Sequence, residues 1–432
     1  MASASGRATR YPVTSKSCYV YIQLPSSLAF TTCGRYQLEE VDDGTYLGRF
    51  VYGHSYLERD NAVPLDSFNL PLMPGEFRTV RLGGLFGALR DVAPDAWGRR
   101  LIERRAPSSD LTEFDYLVHP SGGRIGAVGF GDAPEAQAPR GLPLPGLHEL
   151  NDLRDAAARI EADLPLDEDL EDLLQAGSSL GGARPKTVVR DEAGTIWLAK
   201  FPAREDRWSN AAVEGGMLRL AEECGIRTPE TRLEVLGDEQ VLLVKRFDRE
   251  PDPNGRGEFR HRMVSALTVL DLDDTVTDRS GWSYVDLADE LQRWSEDPVE
   301  DKQELFRRVA FNALISNLDD HPRNHALIAP GRGWRLSPAY DLTPSRARSL
   351  ERRDLAVSLG SHGRIATRYN LLSSAARFGL RREEANDVVD RIVSVVRNGW
   401  HGAIKHHGGS ERDCEAVSEA FVYEGFEYAT PT

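Results

Sequence analysis

Residues 315–328, ISNLDDHPRNHALI, carry two aspartates, two asparagines, two histidines and one arginine around a single proline. The preceding run, ELFRRVAFNALI, is apolar at every fourth position in two neighbouring rows: Leu305, Val309 and Ala313, then Phe306, Ala310 and Leu314. This spacing predicts a helix that buries one stripe against a helical core. The polar stretch is therefore interpreted as the loop that leaves a buried helix.

Within this loop, Asp319 and Asn324 lie five positions apart. Phosphoryl transfer to a hydroxyl needs a carboxylate that accepts the hydroxyl proton and a neutral oxygen ligand for magnesium, and protein kinases place both in one loop at this spacing. A second carboxylate must hold the metal against the phosphates, and Asp341 in SPAYDLTPS follows after a hairpin-like stretch. The order of these residues is that of a kinase.

The upstream half of such a site needs a lysine on a strand. In TIWLAKFP, strict alternation places Ile196, Leu198 and Lys200 on one face, where an unpaired ammonium among apolar neighbours is costly. Glu214, on the helix predicted from NAAVEGGMLRLAEECG, is the candidate partner, and the pair could hold the α and β phosphates of a nucleotide.

The segment before this strand, GSSLGGARPKT (177–187), is a possible phosphate-binding loop. Its glycines permit close approach of backbone amides to phosphate, and its serines offer hydroxyls. It matches neither GxxxxGK[ST] nor GxGxxG, so the loop by itself is a weak signal.

The rest of the chain predicts several domains, about two to four for 432 residues. Residues 18–57 alternate as short strands, and DAWGRRLIERR (95–105) predicts a basic helix that begins after Pro94. A Pro- and Gly-rich linker follows, then acidic helices and a strand pair over 187–201 with a turn ending at Gly194. A helix that stops at Gly225, a second hairpin ending in VKRFDR and an almost wholly helical pattern beyond residue 285 complete the chain.

The composition excludes some classes of function. With 53 basic and 68 acidic side chains the formal charge is −15, which opposes a whole-protein field for DNA binding. No apolar window of about 18 residues indicates a membrane span, and the N-terminal residues lack the apolar core of a secretory signal. The four cysteines show no metal-type spacing, so a reducing cytoplasm is the expected location.

Taken together, NLDDHPRNHALI, SPAYDLTPS, VLLVKRFDR and GSSLGGARPK resemble the HipA family of bacterial serine/threonine kinase toxins. FVYGHSYLERDNAVPLDSFNLPL and GLFGALRDVAPDAWGRRLIERR extend the resemblance to nearly the full chain. It implies an α+β, protein-kinase-like bilobal fold with a small α/β N-lobe, an all-helical C-lobe and an extra β-rich N-terminal module. The expected boundaries are 1–132 for the module, 133–147 for the linker, 148–255 for the N-lobe and 256–432 for the C-lobe.

The resemblance implies an ATP- and magnesium-dependent serine/threonine kinase and assigns roles within it. Asp319 would be the catalytic base, and Asn324 and Asp341 the magnesium ligands. Lys200, supported by Glu214, would contact the ATP phosphates. The other expected nucleotide contacts are Ser179, Gly181, Gly182, His321, and the backbone of Lys245 and Phe247 at the hinge beside adenine.

Ser179 aligns with the loop serine that family members autophosphorylate, with Ser178 as the adjacent alternative. A phosphate adds roughly −1.5 to −2 charges and should push the loop out and switch the enzyme off. NLD replaces HRD and YDL replaces DFG, so control by a phosphorylated activation loop is not expected.

The resemblance also implies partners. A small helix-turn-helix antitoxin similar to HipB would neutralise the toxin, and this chain would meet DNA only through that antitoxin. Substrates in the family include aminoacyl-tRNA synthetases, which makes a synthetase a possible target here. No membrane partner is expected.

Two other functions stay open at this point. A metal-dependent phosphohydrolase could use Asp319, Asp320, His321 and His325 as ligands, although it would leave Lys200 without a role. A non-catalytic pseudokinase could act as a co-repressor, against which the intact set of kinase residues argues. Asp319, Asp320 and Asn324 could also simply cap helices.

Overall fold

The computed structural model describes residues 15–42, 44–106, 110–136, 143–176, 182–273, 279–346, 349 and 351–428. Over these ranges, no helix combines the length and the apolar character needed to cross a bilayer.

The N-terminal module is built on an antiparallel five-stranded sheet of order β4-β3-β2-β1-β5. Buried Cys18, Val20 and Ile22 alternate along β1, so one face of the sheet packs into the core. The elements of the module are β1 (Ser15–Gln23), β2 (Phe30–Asp42), β3 (Thr45–Tyr52), α1 (His54–Leu57), β4 (Glu76–Thr79), α2 (Gly87–Arg90), α3 (Ala96–Arg105), α4 (Glu113–Val118) and β5 (Val128–Gly131). The predicted helix after Pro94 is confirmed as α3.

The small lobe follows, with an antiparallel sheet of order β6-β7-β9-β8 covered by helices. Both predicted hairpins are confirmed, and Gly225, at a φ of 77°, follows the end of α7 as the sequence indicates. The elements are α5 (Leu150–Glu161), α6 (Glu168–Ala176), β6 (Lys186–Arg190), β7 (Ile196–Lys200), α7 (Asn210–Glu223), β8 (Thr231–Leu236), β9 (Glu239–Lys245), β10 (Arg249–Pro251) and β11 (Glu258–Arg260).

The large lobe is mainly helical. The sequence predicts an all-helical lobe, and the structure adds a small sheet of order β12-β13-β14, because the chain that follows the polar loop at residues 315–325 pairs back onto β12. The elements are β12 (Arg262–Ser265), α8 (Ala266–Val269), α9 (Tyr284–Trp294), α10 (Pro298–Leu314), β13 (Ala326–Ala329), β14 (Arg335–Leu336), α11 (Arg368–Ser373), α12 (Arg382–His406) and α13 (Glu411–Val417).

The helix before the polar loop at residues 315–325, α10, is more deeply buried than the sequence predicts. The sequence predicts a single buried stripe, but Glu304, Arg308 and Asn312 on the other side of α10 are also at most 1% exposed. This polar side can be buried because its groups pair with one another within the lobe: Arg308 Nη2 lies 2.8 Å from Glu304 Oε1. The helix is therefore a central one, and the loop that follows starts from a rigid base.

The N-terminal module is joined to the hinge by buried charges. Arg246 donates to Asp248 and to the backbone carbonyls of Gly123 and Arg124, and Arg249 donates to Asp248 and to the Gly126 carbonyl. Burial alone would raise the pKa of Asp248, but the two guanidinium groups and hydrogen bonds hold it well below its usual range. The module is thus fixed against the segment that closes the cleft between the lobes.

Candidate active site

The catalytic-loop candidate is tied to the metal-site candidate by Asn317. Its backbone N–H donates to the Asn312 carbonyl at 2.9 Å, and its side-chain Nδ2 donates to the backbone carbonyl of Asp341 at 3.2 Å. A 3-10 turn at Pro322–Asn324 then leads into β13. This arrangement leaves Asp319 exposed at the wall of the interlobe cleft.

Asp320 has a different environment from its neighbour. It is 1% exposed. Its Oδ2 accepts hydrogen bonds from the Tyr284 hydroxyl and from Asn312 Nδ2, the latter at 2.7 Å. The same oxygen lies 2.8 Å from His325 Nε2. Burial would raise the pKa of Asp320, but His325 and the hydrogen bonds lower it overall. Asp320 and His325 therefore serve to hold the loop rather than to face the cleft.

Replacing Asp320 by alanine is expected to destabilise the fold by roughly 3–5 kcal/mol, because a buried paired group loses its partner. Chemical denaturation at neutral pH measures this, with Asp319→Ala as the matched control that should stay within about 0.5 kcal/mol of wild type. Since the folded-state pKa of Asp320 is lowered, its contribution is present above the ordinary carboxyl range and is lost as pH falls through the folded pKa. Equal stability of the two variants would contradict this role.

Three charged side chains meet at the centre of the cleft. Lys200 Nζ lies 2.6 Å from Glu214 Oε1 and also contacts the Asp341 carboxylate. Burial would lower the pKa of Lys200, but Asp341 and Glu214 raise it well above its usual range, so the ammonium is charged. The structure thus brings together a strand residue, a helix residue and a loop residue that the sequence separates by up to 141 positions.

Asp341 has a left-handed backbone conformation, with φ at 54°. Such conformations cost about 1–3 kcal/mol and cluster at functional sites, although aspartate tolerates this region better than most residues. Burial would raise the pKa of the Asp341 carboxyl, but Lys200 and Lys186 lower it below its ordinary value. The carboxylate is therefore held ionised at the cleft, as a metal ligand must be.

Lys186 is a site residue that the sequence reasoning did not single out. It lies directly opposite Lys200 in the β6–β7 register and lines the same cleft. Like charges directly opposite on a sheet are destabilising unless anions lie between them. Burial lowers the pKa of Lys186, and Asp95 and Asp341 oppose that shift. Lys186 is visible in the sequence at the end of GSSLGGARPKT, but only the strand register shows that it lies opposite Lys200.

The predicted Gly-rich loop is described only in part. Ser178, Ser179 and Gly181 lie outside the described residues, so their predicted roles stay predictions. Gly182 is described and lines the cleft with a φ of 110°, a conformation that side-chain-bearing residues rarely adopt. A Cβ there would lie 2.7 Å from Lys186 Nζ. Glycine at this position therefore leaves the space above the ammonium open.

The cleft has two connected chambers of different polarity. The larger, about 640 Å³, contains the lysines and carboxylates together with Asp319 and Asn324. The smaller, about 130 Å³, contains Leu198, Val244, Met263, Phe247 and Tyr340. Five residues line both: Gly182, Lys200, His321, Asn324 and Asp341. A planar apolar group joined to an anionic tail, as in a nucleotide, fits this pair of chambers.

The hinge residues lie at the smaller chamber. The N–H of Lys245 donates to the Glu230 carbonyl at 2.9 Å. For the N–H of Phe247, no acceptor exists among the described residues, and its ring lies 5.7 Å from that of Tyr340. Phe247 can therefore donate to a base from its backbone, whereas Lys245 can contribute only its carbonyl.

The metal-ligand candidates Asn324 and Asp341 line both chambers and offer an amide oxygen and a carboxylate, the donors that magnesium prefers. His321 lines the chambers as well, and its Nδ1 is buried without an acceptor or donor partner within the described part of the chain. That orphaned atom and the hard-oxygen donor set fit a bound metal–nucleotide complex.

The hydrolase alternative finds no support in the geometry. In the part of the chain that the structure describes, one group of His, Cys, Asp or Glu side chains has metal-binding proximity, and it is His401, Glu411 and Cys414 on α12 and α13. Asp319 faces the cleft while Asp320 and His325 are buried behind it. The four ligands that the hydrolase requires thus point in different directions.

The architecture is two-lobed and of the α+β class. A strand lysine pairs with a helix glutamate, and both line a cleft together with the loop that carries Asp319 and Asn324. These features define a protein-kinase-like fold. The family model described as the HipA-like C-terminal domain matches residues 178–400, and the HipA N-terminal domain matches residues 37–131. The first match alone exceeds half of the chain. The chain belongs to the HipA family.

Relatives and a solved structure agree with this placement. Putative kinase Y4mE of Sinorhizobium fredii is 25% identical over 371 residues, covering 80% of this chain and 85% of the relative. Putative kinase Y4dM of the same organism is 28% identical, over 51% of this chain and 55% of the relative. The Shewanella oneidensis HipA, solved with HipB and operator DNA, matches with a TM-score of 0.67 at 20% identity over 93% of this chain and 94% of its own, which is a likeness of fold.

Proposed function

We propose that this protein is an ATP- and magnesium-dependent serine/threonine protein kinase and the toxin of a toxin–antitoxin pair. The observation that carries the proposal is the convergence of Lys200, Glu214 and Asp341 in one cleft with Asp319 and Asn324. The lysine–glutamate pair and a metal-holding carboxylate are the parts that kinases must assemble before transfer occurs.

The proposed reaction is transfer of the γ-phosphoryl group of ATP to a substrate hydroxyl. The oxygen of a substrate hydroxyl forms a bond to the γ-phosphorus while the bond from that phosphorus to the β–γ bridging oxygen breaks, and ADP leaves. Asp319 orients the hydroxyl and takes its proton. Lys200 and Lys186 hold the phosphates by charge, and Phe247 donates its backbone N–H to the base. Magnesium, held by Asn324 and Asp341, supplies neutralisation of the phosphate charge.

Self-inactivation by phosphorylation of Ser179 is part of the proposal. Gly182, the first described residue after that segment and three positions beyond Ser179, lines the phosphate side of the cleft, which supports this part of the proposal. A phosphoserine in this loop would add negative charge and should oppose binding of the anionic nucleotide.

The partners proposed are a HipB-like helix-turn-helix antitoxin, contact with DNA through it, and a protein substrate, an aminoacyl-tRNA synthetase being one candidate. The fold shared with the Shewanella HipA, which was solved with HipB and operator DNA, supports the antitoxin part. Comparing phosphoproteomes of cells that express the wild type or Asp319→Ala protein identifies the substrate.

The proposal predicts that purified protein binds ATP when magnesium is present and labels itself from γ-labelled ATP. Mass spectrometry should locate the phosphate at Ser179, and Ser179→Ala should remove it while Ser178→Ala retains it. ATP binding without any label on protein would favour the pseudokinase co-repressor. Tight zinc or manganese binding with no nucleotide affinity would favour the hydrolase.

A further inference from the structure

A carboxylate of the N-terminal module contacts a lysine on the phosphate side of the cleft. Asp95 Oδ2 lies 3.3 Å from Lys186 Nζ, and the two side chains are 7% and 6% exposed. The two residues are 91 positions apart and belong to the separate regions matched by the N-terminal and C-terminal family models. The contact therefore joins the N-terminal module to a lysine that lines the cleft between the lobes.

The charges around Lys186 explain why such a carboxylate is needed. Lys186 and Lys200 occupy the same register position on adjacent strands, and Lys200 already contacts Glu214 and Asp341. A second buried ammonium beside the first needs its own counter-charge. Asp95, in contact with Lys186 at 3.3 Å, is placed to supply it from the N-terminal module.

Asp95 is itself held in place by the backbone. Its Oδ1 accepts the N–H of Gly98 at 2.7 Å as the N-cap of α3, which leaves Oδ2 for the lysine. Trp97 on the same helix packs in a core with the α5 and α6 helices and Trp197 of β7. A helix locked into the small lobe thus fixes both the direction of the carboxylate and, through it, that of the ammonium.

We propose that Asp95 is a positioning residue for nucleotide binding: it holds the Lys186 ammonium in the phosphate chamber, so the N-terminal module completes the ATP site of the kinase lobes. This rests on the proposed kinase function. Asp95 does not contact the nucleotide itself and acts through Lys186.

Asp95→Asn is the variant of choice because asparagine caps a helix about as well as aspartate, so the change removes the charge and keeps α3 capped. Asp115→Asn is the matched control. Asp115 lies in the same module, stands in the capping box of α4, and pairs with Lys16 at 2.7 Å, away from the cleft. The measurement is the Kd of magnesium–ATP by calorimetric titration of the full-length protein, with circular dichroism as the test of folding.

The expected result is a Kd that rises roughly tenfold in Asp95→Asn and is unchanged in Asp115→Asn, a coupling of the size that contacting residues show. Lys186→Met should weaken binding at least as much, and adding Asp95→Asn to it should change the Kd no further. In kinetics the change should fall on KM for ATP more than on kcat.

An Asp95→Asn protein that binds like wild type would overturn the proposal. So would a tenfold loss that persists in the Lys186→Met background, because that would assign Asp95 a general structural role. Failure of the wild-type protein to bind magnesium–ATP would overturn the proposed function together with this inference, so the two failures give different results.

Discussion

Asp319→Asn is expected to lower the rate of phosphoryl transfer by roughly 10²–10⁴-fold, the range typical for a positioned general base. Asparagine has nearly the same shape but cannot accept the hydroxyl proton. Asp319 is exposed in the cleft and is bound to none of the groups that hold the loop, so nucleotide binding and stability should stay at the wild-type level. Single-turnover label incorporation at saturating ATP measures the effect.

The neighbouring carboxylate provides the contrast. Asp320→Asn should reduce stability, because Asp320 holds Tyr284, Asn312 and His325, whereas Asp319→Asn should reduce only transfer. Label incorporation by Asp319→Asn at the wild-type rate would remove Asp319 from the chemistry.

Lys200→Met is expected to remove most nucleotide affinity. Truncating one partner of a buried charge pair costs about 2–5 kcal/mol, which is roughly 30-fold to several-thousand-fold in Kd. Lys302→Met is the control, since Lys302 donates to Gln292 on the outside of the large lobe. Titration with magnesium–ATP gives the two dissociation constants. A Kd for Lys200→Met within a few-fold of the wild-type Kd would contradict the role assigned to Lys200.

The same variant carries a pH signature. Burial and Asp341 raise the pKa of Glu214, while Lys200 opposes the shift. Without Lys200 the two carboxyls lose their shared counter-charge, so the pKa of Glu214 should rise further, and the pKa of Asp341, which Lys200 lowers in the wild type, should rise as well. A carboxyl whose pKa is raised by folding stabilises the folded state at low pH, and this contribution is lost as the pH rises through the folded-state pKa. The stability deficit of Lys200→Met should therefore be largest at neutral pH and shrink on acidification.

Much of the fold followed from local sequence. Alternation in TIWLAKFP, a turn at Gly194 and a helix that ends before Gly225 are short-range signals, and the structure confirms the elements they predict. The buried apolar stripe predicted for α10 is confirmed. The additional buried row of polar residues was not predicted, because apolar periodicity cannot detect a helix face that is buried by paired polar groups. The hairpin-like stretch before Asp341 is confirmed as β13 and β14, whereas the pairing of β13 with the distant strand β12 is a contact that no local pattern reveals.

The sequence by itself determined which residues form the candidate site and in which order they occur. Residue type and spacing along the chain identify Lys200, Glu214, Asp319, Asn324 and Asp341. Only the tertiary structure decided that Asp320 is buried behind Asp319, that Lys186 stands opposite Lys200, and that Asp95 reaches Lys186 from another module. Burial, strand register and contacts between modules arise from packing of distant segments, so a charge acquires its counter-charge only when the chain has folded.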